Sequence, residues 1–342
     1  VSPINYPGYI PVGNEENRRK LAGLWDVPFE SLPSEPGLTT VQLVNAAHEG
    51  QIKGMYIMGE NPMMTDPDLN HTEESLKNLD FLVVQDIFHT ETTPYADVIL
   101  PASSYAEKNG TFVNSDRRVL RVRKALEMPG QAEEDWKIIV KIAERMGYNI
   151  GQYNNAKEIF EEIREATPIM AGVTYWRIVQ DGLQWPCPTI DHPGTKTLFL
   201  EKFSTSHGLG ILNPVEYEQQ TETPSKDFPY VLNTGRILYQ YHTSTMSRRN
   251  KALNDFANET FVLMNPADVK KNGFRDGDQV KLSNKRGELE TMIRESESVA
   301  EGELFMPFHF RESLVNKLTR GDLDPHSRIP PYKFSVCKVE KV

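Results

Sequence analysis

The feature that most constrains the fold is an apolar run, FLVVQDIF, at residues 81–88. A half-buried strand alternates apolar and polar residues, whereas this run is apolar at successive positions, as in a parallel strand covered on both faces. Further apolar runs lie at 54–62 and 96–101, and a helical pattern at 72–80 follows the first of them. Strands that alternate with helices predict an α/β portion with a Rossmann-like parallel sheet.

Two more segments have the spacing and the end signals of helices. Residues 39–50 begin with two threonines and end at Gly50, and residues 133–147 end at Gly147. We expect the second of these helices to bury one face, which carries Trp136, Ile139, Ala143 and Met146. Residues 150–225 contain loop sequences such as WPCPTIDHPGTK, and we expect an irregular connecting segment there.

The pattern changes at about residue 226. Short alternating strands follow, separated by NG, DGD and KRGE turns, with one short helix that has Asn265 as its N-cap and Pro266 at its first position. Such a series of short strands is typical of a closed β-barrel. The sequence therefore predicts an α/β portion at 1–225 followed by a barrel at 226–342.

The composition excludes several classes of protein. A net charge of −10 over 342 residues argues against broad nucleic-acid or membrane-surface binding. Cys187 and Cys337 have no zinc or iron–sulfur spacing, so we expect no metal ligand among them. No apolar run of about 18 residues is present, so no membrane insertion is expected. The chain begins at Val1 without a signal peptide, which suggests the interior of a longer polypeptide.

Polar residues follow the predicted parallel strands at one edge of the sheet. Gly59 and Asn61 follow the first strand, Gln85 and Asp86 end the second, and Lys108 comes after the third. Doubly wound sheets bind ligands at this edge, and an aspartate there can accept the paired N–H groups of a guanine. Each residue alone is also explained as a turn or a cap. Together they favour a nucleotide-like ligand.

A second polar group is the stretch LNTGRILYQYHTSTMSRRN at residues 232–250. Thr234, Gly235 and Arg236 supply a hydroxyl, a position of close approach and a forked cation, which suit a pyrophosphate. The alternative is an arginine-rich surface loop that pairs with the surplus carboxylates. The chain has neither a Walker A loop nor GxGxxG, so a simple ATPase or NAD enzyme is not indicated. His242 and His309 are each expected to be structural.

In combination, these ordered motifs resemble the molybdopterin oxidoreductases of the DMSO reductase family, most closely the C-terminal half of formate dehydrogenase alpha (catalytic) subunits. The resemblance rests on MGENP, VVQDIF, ADVILPASSYAEKNGTFVNSDRRV, EEDW, TGRILYQYHTSTMSRR, NPADVKKNGFRDGDQV, PFHFRESLVNKLT and DPHSRIPPYK. It implies a bis(molybdopterin guanine dinucleotide) cofactor with molybdenum or tungsten, and a double-psi-type barrel that caps the pterins. It also implies oxidation of formate to CO2, or the reverse, with electrons passing to iron–sulfur clusters.

The resemblance also implies which residues contact the cofactor. In the α/β portion they are Gly59, Asn61, Gln85, Asp86, Lys108 and Asp135. In the barrel they are Thr234, Gly235, Arg236, Ile237, Leu238, Tyr239, Gln240, Tyr241, His242, Thr243, Phe308, Asn316 and Lys333. Lys108 is expected to meet a phosphate, and Asp135 a guanine edge.

Several parts of such an enzyme are not expected within this chain. In the family a [4Fe–4S] segment, the Cys or selenocysteine ligand of the metal and a neighbouring His and Arg come earlier. We therefore expect a fragment or a chain that another polypeptide completes, with iron–sulfur electron-transfer subunits as partners and no catalytic residue of its own. The alternatives are another reaction on the same scaffold, such as nitrate reduction, and a non-catalytic subunit like that of respiratory complex I. A cytoplasmic location is expected, with a periplasmic one left open.

Overall fold

The computed structural model describes residues 3–342, and the chain divides into two compact units. Unit 1 comprises the N-terminal residues to Leu38 together with Pro101–Tyr217. Unit 2 comprises Thr39–Leu100 and Glu218–Val342. Unit 2 thus contains both the strand-and-helix segment that precedes residue 101 and the C-terminal third of the chain. The domain boundary that the sequence predicts between residues 225 and 226 stays a prediction.

The described chain contains eight α-helices and fourteen strands. The helices are α1 (Glu15–Leu24), α2 (Thr40–His48), α3 (Pro62–Thr65), α4 (Leu69–Lys77), α5 (Asp135–Arg145), α6 (Ala156–Ala166), α7 (Lys251–Phe256) and α8 (Pro266–Lys271). The strands are β1 (Asn5–Tyr6), β2 (Ile10–Pro11), β3 (Gly54–Met58), β4 (Phe81–Asp86), β5 (Val98–Pro101), β6 (Gly110–Val113), β7 (Arg118–Val122), β8 (Leu183–Gln184), β9 (Tyr230–Gly235), β10 (Val262–Met264), β11 (Gln279–Ser283), β12 (Glu288–Glu295), β13 (Glu303–Pro307) and β14 (Ser335–Lys341).

The predicted parallel sheet is confirmed in unit 2. Strands β3, β4 and β5 lie side by side in that order, and β3 and β4 are parallel, with Met58 opposite Gln85. One face of this sheet packs on a small apolar core, whose buried members are Ile57, Met63, Leu76, Leu82 and Val84. Because the two parallel strands end in register, the residues that follow them share one edge.

The predicted barrel is also confirmed. Six strands close in the order β10, β12, β11, β14, β9 and β13, with both parallel and antiparallel neighbours. Its interior is the largest apolar core of the described chain and includes Leu232, Met264, Leu282, Ile293 and Met306. Asn265 caps α8 as expected, since its side chain accepts a hydrogen bond from the Ala267 N–H at 2.9 Å.

The two smaller sheets belong to unit 1. Strands β1 and β2 form an antiparallel pair, and β6, β7 and β8 form a three-stranded antiparallel sheet. Phe160, Tyr175 and Ile178 lie in the apolar core of this unit. Nothing in the described chain, residues 3–342, is a helix both long enough and apolar enough to span a bilayer.

Three expectations about helices were wrong in part. Helix α4 begins at Leu69, not at Thr72, because Asp68 takes a left-handed conformation just before it. In α5 the buried residue is Ile138, and Met146, which lies just past the last residue of the helix, is 80% exposed. The segment 150–225 contains the regular helix α6, for which the Asn155 side chain forms the N-cap.

Gly235, the last residue of β9, is expected to tolerate no side chain. A β-carbon there would lie 2.3 Å from the Phe305 ring on the neighbouring strand β13. Gly235→Ala should therefore destabilise unit 2 by about 1–3 kcal/mol, through displacement of that ring. Denaturant unfolding measures the change, with Gly321→Ala as the control because a β-carbon at Gly321 meets no atom within 4 Å. Equal stability of the two variants would contradict this packing.

Candidate functional site

The polar residues at the sheet edge are brought together as the sequence predicts. The Gly59 N–H donates to the Gln85 carbonyl oxygen at 2.9 Å, which extends the β3–β4 pairing by one residue. Gly59 has a φ of +66°, a conformation that glycine adopts without strain. Asn61 caps α3 two residues later. The turn after β3 thus places Gly59 and Asn61 beside Gln85 and Asp86, which end β4. These four predicted residues lie along the same edge.

The side chains at this edge also hold one another in place. Asn61 is buried, donates to Glu91 Oε2 at 2.7 Å and accepts from the Thr92 hydroxyl at 2.7 Å. The Gln85 side chain is fully buried and accepts a hydrogen bond from the Tyr56 hydroxyl. Asp86 accepts from the Ile87 backbone N–H at 2.6 Å. The side chains of Asn61 and Asp86 thus have structural contacts of their own, although Asn61 occupies the N-cap position of α3 without a capping side-chain hydrogen bond.

In the barrel, the loop after β9 is shaped by His309. The Ile237 N–H donates to His309 Nε2 at 2.9 Å, so this nitrogen is the acceptor and the proton lies on Nδ1, which faces the His242 carbonyl oxygen. Burial lowers the pKa of His309 against the opposing hydrogen bond to the His242 carbonyl oxygen, and the charges of Arg236 and His242 lower it further, which favours this neutral ring. The contacts of His309 are those of a structural histidine, which holds both ends of the loop 237–242.

The exposed side of this loop carries two cations, Arg236 and Lys333, that form no ion pair within residues 3–342. Lys333 Nζ donates to the Thr234 carbonyl oxygen. Burial and, second, the neighbouring Arg236 lower the pKa of Lys333. Burial and then Arg236 also lower the pKa of His242, against the opposing charge of Glu60. Arg236 therefore disfavours the charged forms of both neighbours, an arrangement that an anion would relieve.

Aromatic and hydroxyl groups complete this cluster. The Arg236 guanidinium lies 5.9 Å from the centre of the Phe308 ring, and the His242 ring meets Phe308 edge-on at 5.5 Å. The buried Thr234 hydroxyl donates to the Tyr332 carbonyl oxygen at 2.8 Å, which ties β9 to the segment that carries Lys333. We call Arg236, His242, Phe308 and Lys333 the cation cluster.

Asn316 connects the barrel to the sheet edge. Its side-chain Nδ2 donates to the Met64 carbonyl oxygen at 2.9 Å and to that of Thr65 at 3.2 Å, both in α3. Its Oδ1 is buried and has no hydrogen-bond partner among the described residues. A buried amide oxygen of this kind requires a donor, which a ligand can supply.

The remaining loop residues have different environments. Gln240 is buried, donates to the Ala257 carbonyl oxygen at 2.6 Å and accepts from the Ser247 hydroxyl at 2.7 Å, so it supports the loop from inside. Leu238 and Tyr241 are 87% and 71% exposed, and Tyr239 stacks on Phe256 with ring centres 4.8 Å apart. The Thr243 hydroxyl lies 3.0 Å from that of Thr245.

Lys108 and Asp135 lie in unit 1, where they form an ion pair with each other. Lys108 Nζ also donates to the Ser103 carbonyl oxygen at 3.0 Å. Asp135 is the first residue of α5. The structure thus brings these two predicted residues together as a pair within their own unit.

A pocket of about 310 Å³ within unit 2 is lined by the predicted contact Thr243 and by residues that the sequence prediction did not include, among them Arg248, Arg249 and Arg311. Arg248 is paired with Glu312 at 2.6 Å, and Arg311 lies 3.8 Å from Glu91. Arg249 lies over the Phe88 ring at 4.2 Å and donates to backbone carbonyl oxygens. Arg248 and Arg249 belong to the polar stretch at residues 232–250, so the sequence could have indicated them as candidate contacts. For Arg311 the only indication in the sequence is its position directly after PFHF. Among residues 3–342, no group of three or more His, Cys, Asp or Glu side chains lies close enough together to hold a metal ion.

Comparison with family models gives two matches that cover different parts of the chain. Residues 11–145 match the model described as molybdopterin oxidoreductase. Residues 230–336 match the model described as molydopterin dinucleotide binding domain. The second match covers five of the six barrel strands and the start of β14, and it includes the whole cation cluster.

Curated relatives and a solved structure extend these matches along the chain. The F420-dependent formate dehydrogenase subunit alpha of Methanocaldococcus jannaschii is 46% identical over 99% of this chain and 50% of its own length. Formate dehydrogenase H of Escherichia coli is 36% identical over 99% of the chain and 48% of its own. The assimilatory nitrate reductase catalytic subunit of Bacillus subtilis is 35% identical over 97% of this chain and 48% of its own length. The chain therefore spans about half the length of these relatives.

Acetylene hydratase from Pelobacter acetylenicus has a similar fold. Its structure superposes with a TM-score of 0.73 at 16% identity, over 96% of this chain and 50% of that one. At this level of identity the likeness concerns the fold alone.

The mutual repulsion in the cation cluster predicts a measurable pKa change. Arg236→Gln removes the positive charge that opposes protonation of His242, so the pKa of His242 should rise toward its ordinary value. An NMR titration of the imidazole ring protons measures the shift. Arg275→Gln, in an exposed barrel turn, is the matched control and should leave the pKa of His242 where it is. An unchanged His242 in Arg236→Gln would mean that the two groups do not interact.

Proposed function

The chain belongs to the molybdopterin oxidoreductase family, and we propose that it forms the cofactor-binding part of a formate dehydrogenase alpha subunit. The cofactor would be bis(molybdopterin guanine dinucleotide) with molybdenum or tungsten. The observation that carries the proposal is the cation cluster, in which Arg236 and Lys333 lie close together without a carboxylate partner in the described chain.

The residues of the cluster fit such a cofactor. A dinucleotide contains a pyrophosphate, and a guanidinium beside an ammonium is the donor set that phosphates prefer. The unsatisfied Oδ1 of Asn316 can accept an N–H of a pterin or a guanine, both of which are rich in such donors. Phe308 offers a ring face beside the cations. Arg236, Asn316, Phe308 and Lys333 would therefore hold the anion and one heterocycle.

The other predicted contacts follow from the same geometry. At the sheet edge, Gly59 and Asp86 border the position where a second nucleotide would lie, with Asn61 and Gln85 supporting the turn. Leu238 and Tyr239 are exposed residues of a loop fixed by His309, and their backbone N–H groups can donate to phosphate oxygens. The Tyr241 N–H already donates to the Ser247 hydroxyl, so Tyr241 would contribute its exposed side chain. Lys108 and Asp135 remain proposals for a contact made from unit 1.

When bound, the metal bis-pterin would supply two-electron exchange between formate and CO2. The described residues of this chain would bind and orient it and would neutralise its phosphates. The relatives are about twice as long as this chain, which supports placing the metal-ligating Cys or selenocysteine, the reactive His and Arg and the iron–sulfur cluster on polypeptide outside it. The names of the relatives, which describe alpha subunits, support partner subunits that carry the electrons onward.

Loss of the cations should lower cofactor content. In the complete enzyme, Arg236→Ala removes a charge-assisted phosphate contact worth roughly 1.5–3 kcal/mol, so molybdenum or tungsten and oxidised pterin per protein should fall well below wild type. Metal analysis and pterin fluorescence measure both quantities. Arg275→Ala serves as the control, since Arg275 lies in an exposed turn of the same barrel. Full occupancy in Arg236→Ala would remove the main support for the site.

Substrate comparison tests the reaction. The complete enzyme, with its metal and pterin quantified first, should oxidise formate with an artificial electron acceptor and should reduce nitrate at a far lower rate. A nitrate reductase with little formate activity would redirect the proposal within the family. A protein that contains neither metal nor pterin would instead be a non-catalytic subunit.

A further inference from the structure

Asp66 is a buried carboxyl group that the cofactor contacts do not use. It follows the last residue of α3 and is only 5% exposed. Its Oδ1 accepts a hydrogen bond from the Thr65 hydroxyl at 3.2 Å, whereas its Oδ2 is buried and has no hydrogen-bond partner among the described residues. Burial of a charged carboxylate with an unsatisfied oxygen costs far more than burial of the neutral carboxylic acid, which carries a proton on that oxygen.

The surroundings of Asp66 favour the neutral form. Burial, with the nearby Glu60 as a further cause, raises the pKa of the Asp66 carboxyl to about 7, against the opposing hydrogen bond from Thr65. At neutral pH the carboxyl group is therefore poised to both accept and release a proton, as groups that transfer protons must be.

On one side Asp66 adjoins a residue that contacts Asn316, one of the proposed cofactor ligands. The Thr65 hydroxyl donates to Asp66 Oδ1, and the Thr65 carbonyl oxygen accepts from Asn316 Nδ2 at 3.2 Å. The pKa of Tyr332, which immediately precedes Lys333, is raised by burial and then by the charge of Asp66. Asp66 is thus connected through Thr65 to the proposed cofactor site.

On the other side Asp66 lines a separate cavity of about 240 Å³. This cavity is also lined by Asn45, Asp68 and His71, and by the backbone at Gly321. The segment around Gly321 brings one further cation, Arg320, which is paired with Asp322 at 2.9 Å.

A histidine pair connects this cavity with the surface. His71 Nε2 lies 2.9 Å from Asn45 Oδ1, and the His71 ring lies 4.5 Å from that of His48, which is exposed. Asp66 is therefore connected through Thr65 with Asn316 on one side, and it lines a polar cavity that contains Asp68 and His71 on the other.

From this arrangement we propose that Asp66 exchanges protons between the proposed cofactor site and solvent, through the cavity that it shares with Asp68 and His71. The inference rests on the proposed function. Oxidation of formate breaks its C–H bond, the electron pair passes to the bound cofactor, and CO2 and one proton remain. Asp66 takes up that proton on Oδ2, and the proton leaves through the cavity toward His71. The reverse reaction uses the same route inward.

The test is Asp66→Asn in the complete enzyme. Asparagine has the same shape but cannot exchange a proton at neutral pH, so kcat should fall about tenfold or more, with KM and the metal and pterin content close to wild type. The inflection near neutral pH in the kcat profile should disappear. Asp80→Asn, at an exposed site paired only with Lys53 at 3.8 Å, is the matched control and should resemble wild type.

A second variant tests the outer end of the route. His71→Gln should lower kcat to a smaller extent, and added imidazole buffer should restore it, which a purely structural defect would not permit. A wild-type kcat in Asp66→Asn with full cofactor, or the lack of any rescue of His71→Gln, would overturn the proposal.

Infrared spectroscopy separates this inference from the proposed function. A protonated carboxyl band that disappears as pH rises through about 7, and that is missing in Asp66→Asn, would show the exchange of the proton directly. This readout does not require turnover. If wild type holds cofactor but does not oxidise formate, the proposed function fails while the titration still decides whether Asp66 exchanges a proton. Absence of the band in wild type would rule out the proton-exchange group.

Discussion

The candidate site depends on one electrostatic constraint, the position of Arg236 beside His242 and Lys333, where neither Arg236 nor Lys333 forms an ion pair in the described chain. After burial, Arg236 is the second cause that lowers the pKa of both His242 and Lys333. A fold keeps such an arrangement only if the backbone around it is rigid. Here the Thr234–Tyr332 hydrogen bond and the acceptor nitrogen of His309 supply that rigidity from opposite sides. The cations are thus held ready for an anion, and little rearrangement is needed to bind it.

The same unit shows how segments far apart in sequence form one site. Asn316, in the barrel, donates to two carbonyl oxygens of α3, more than 200 residues earlier in the chain. Helix α3 in turn begins at Asn61, whose side chain is fixed by Glu91 and Thr92. The sheet edge and the barrel are therefore connected by hydrogen bonds to the backbone, which keep their geometry whatever the neighbouring side chains are. Because Asp66 directly follows α3, the same contacts set its position between Asn316 and the cavity that it shares with Asp68 and His71.

Much of this fold could be predicted from the sequence, and the remainder has identifiable physical reasons. The parallel strands and the barrel have strong local signals, namely an apolar run at successive positions and short strands between glycine turns. The expected cover on both faces of the run is not seen, since Phe81 is 50% exposed. Helix α6 was missed because its amphipathic segment has only 11 residues and lies between segments whose sequences are typical of loops. The buried face of α5 was assigned incorrectly because periodicity alone allows several neighbouring faces. Within the site, the edge residues and Arg236 could be found from motifs, whereas Asp66 could not, since its burial and its unsatisfied oxygen are tertiary properties.

The structure also separates the two explanations that the polar stretch at 232–250 allowed. An arginine that serves only to solubilise or stabilise a surface loop should find one of the many carboxylates of an acidic chain. Arg248 does so, through Glu312, and Arg249 is held by backbone carbonyl oxygens and the Phe88 ring. Arg236 forms no ion pair within residues 3–342 and lies beside another cation, Lys333. In this stretch Arg248 is neutralised by a carboxylate and Arg249 is held by carbonyl oxygens. The charge of Arg236 is the one that our proposal assigns to an anionic ligand.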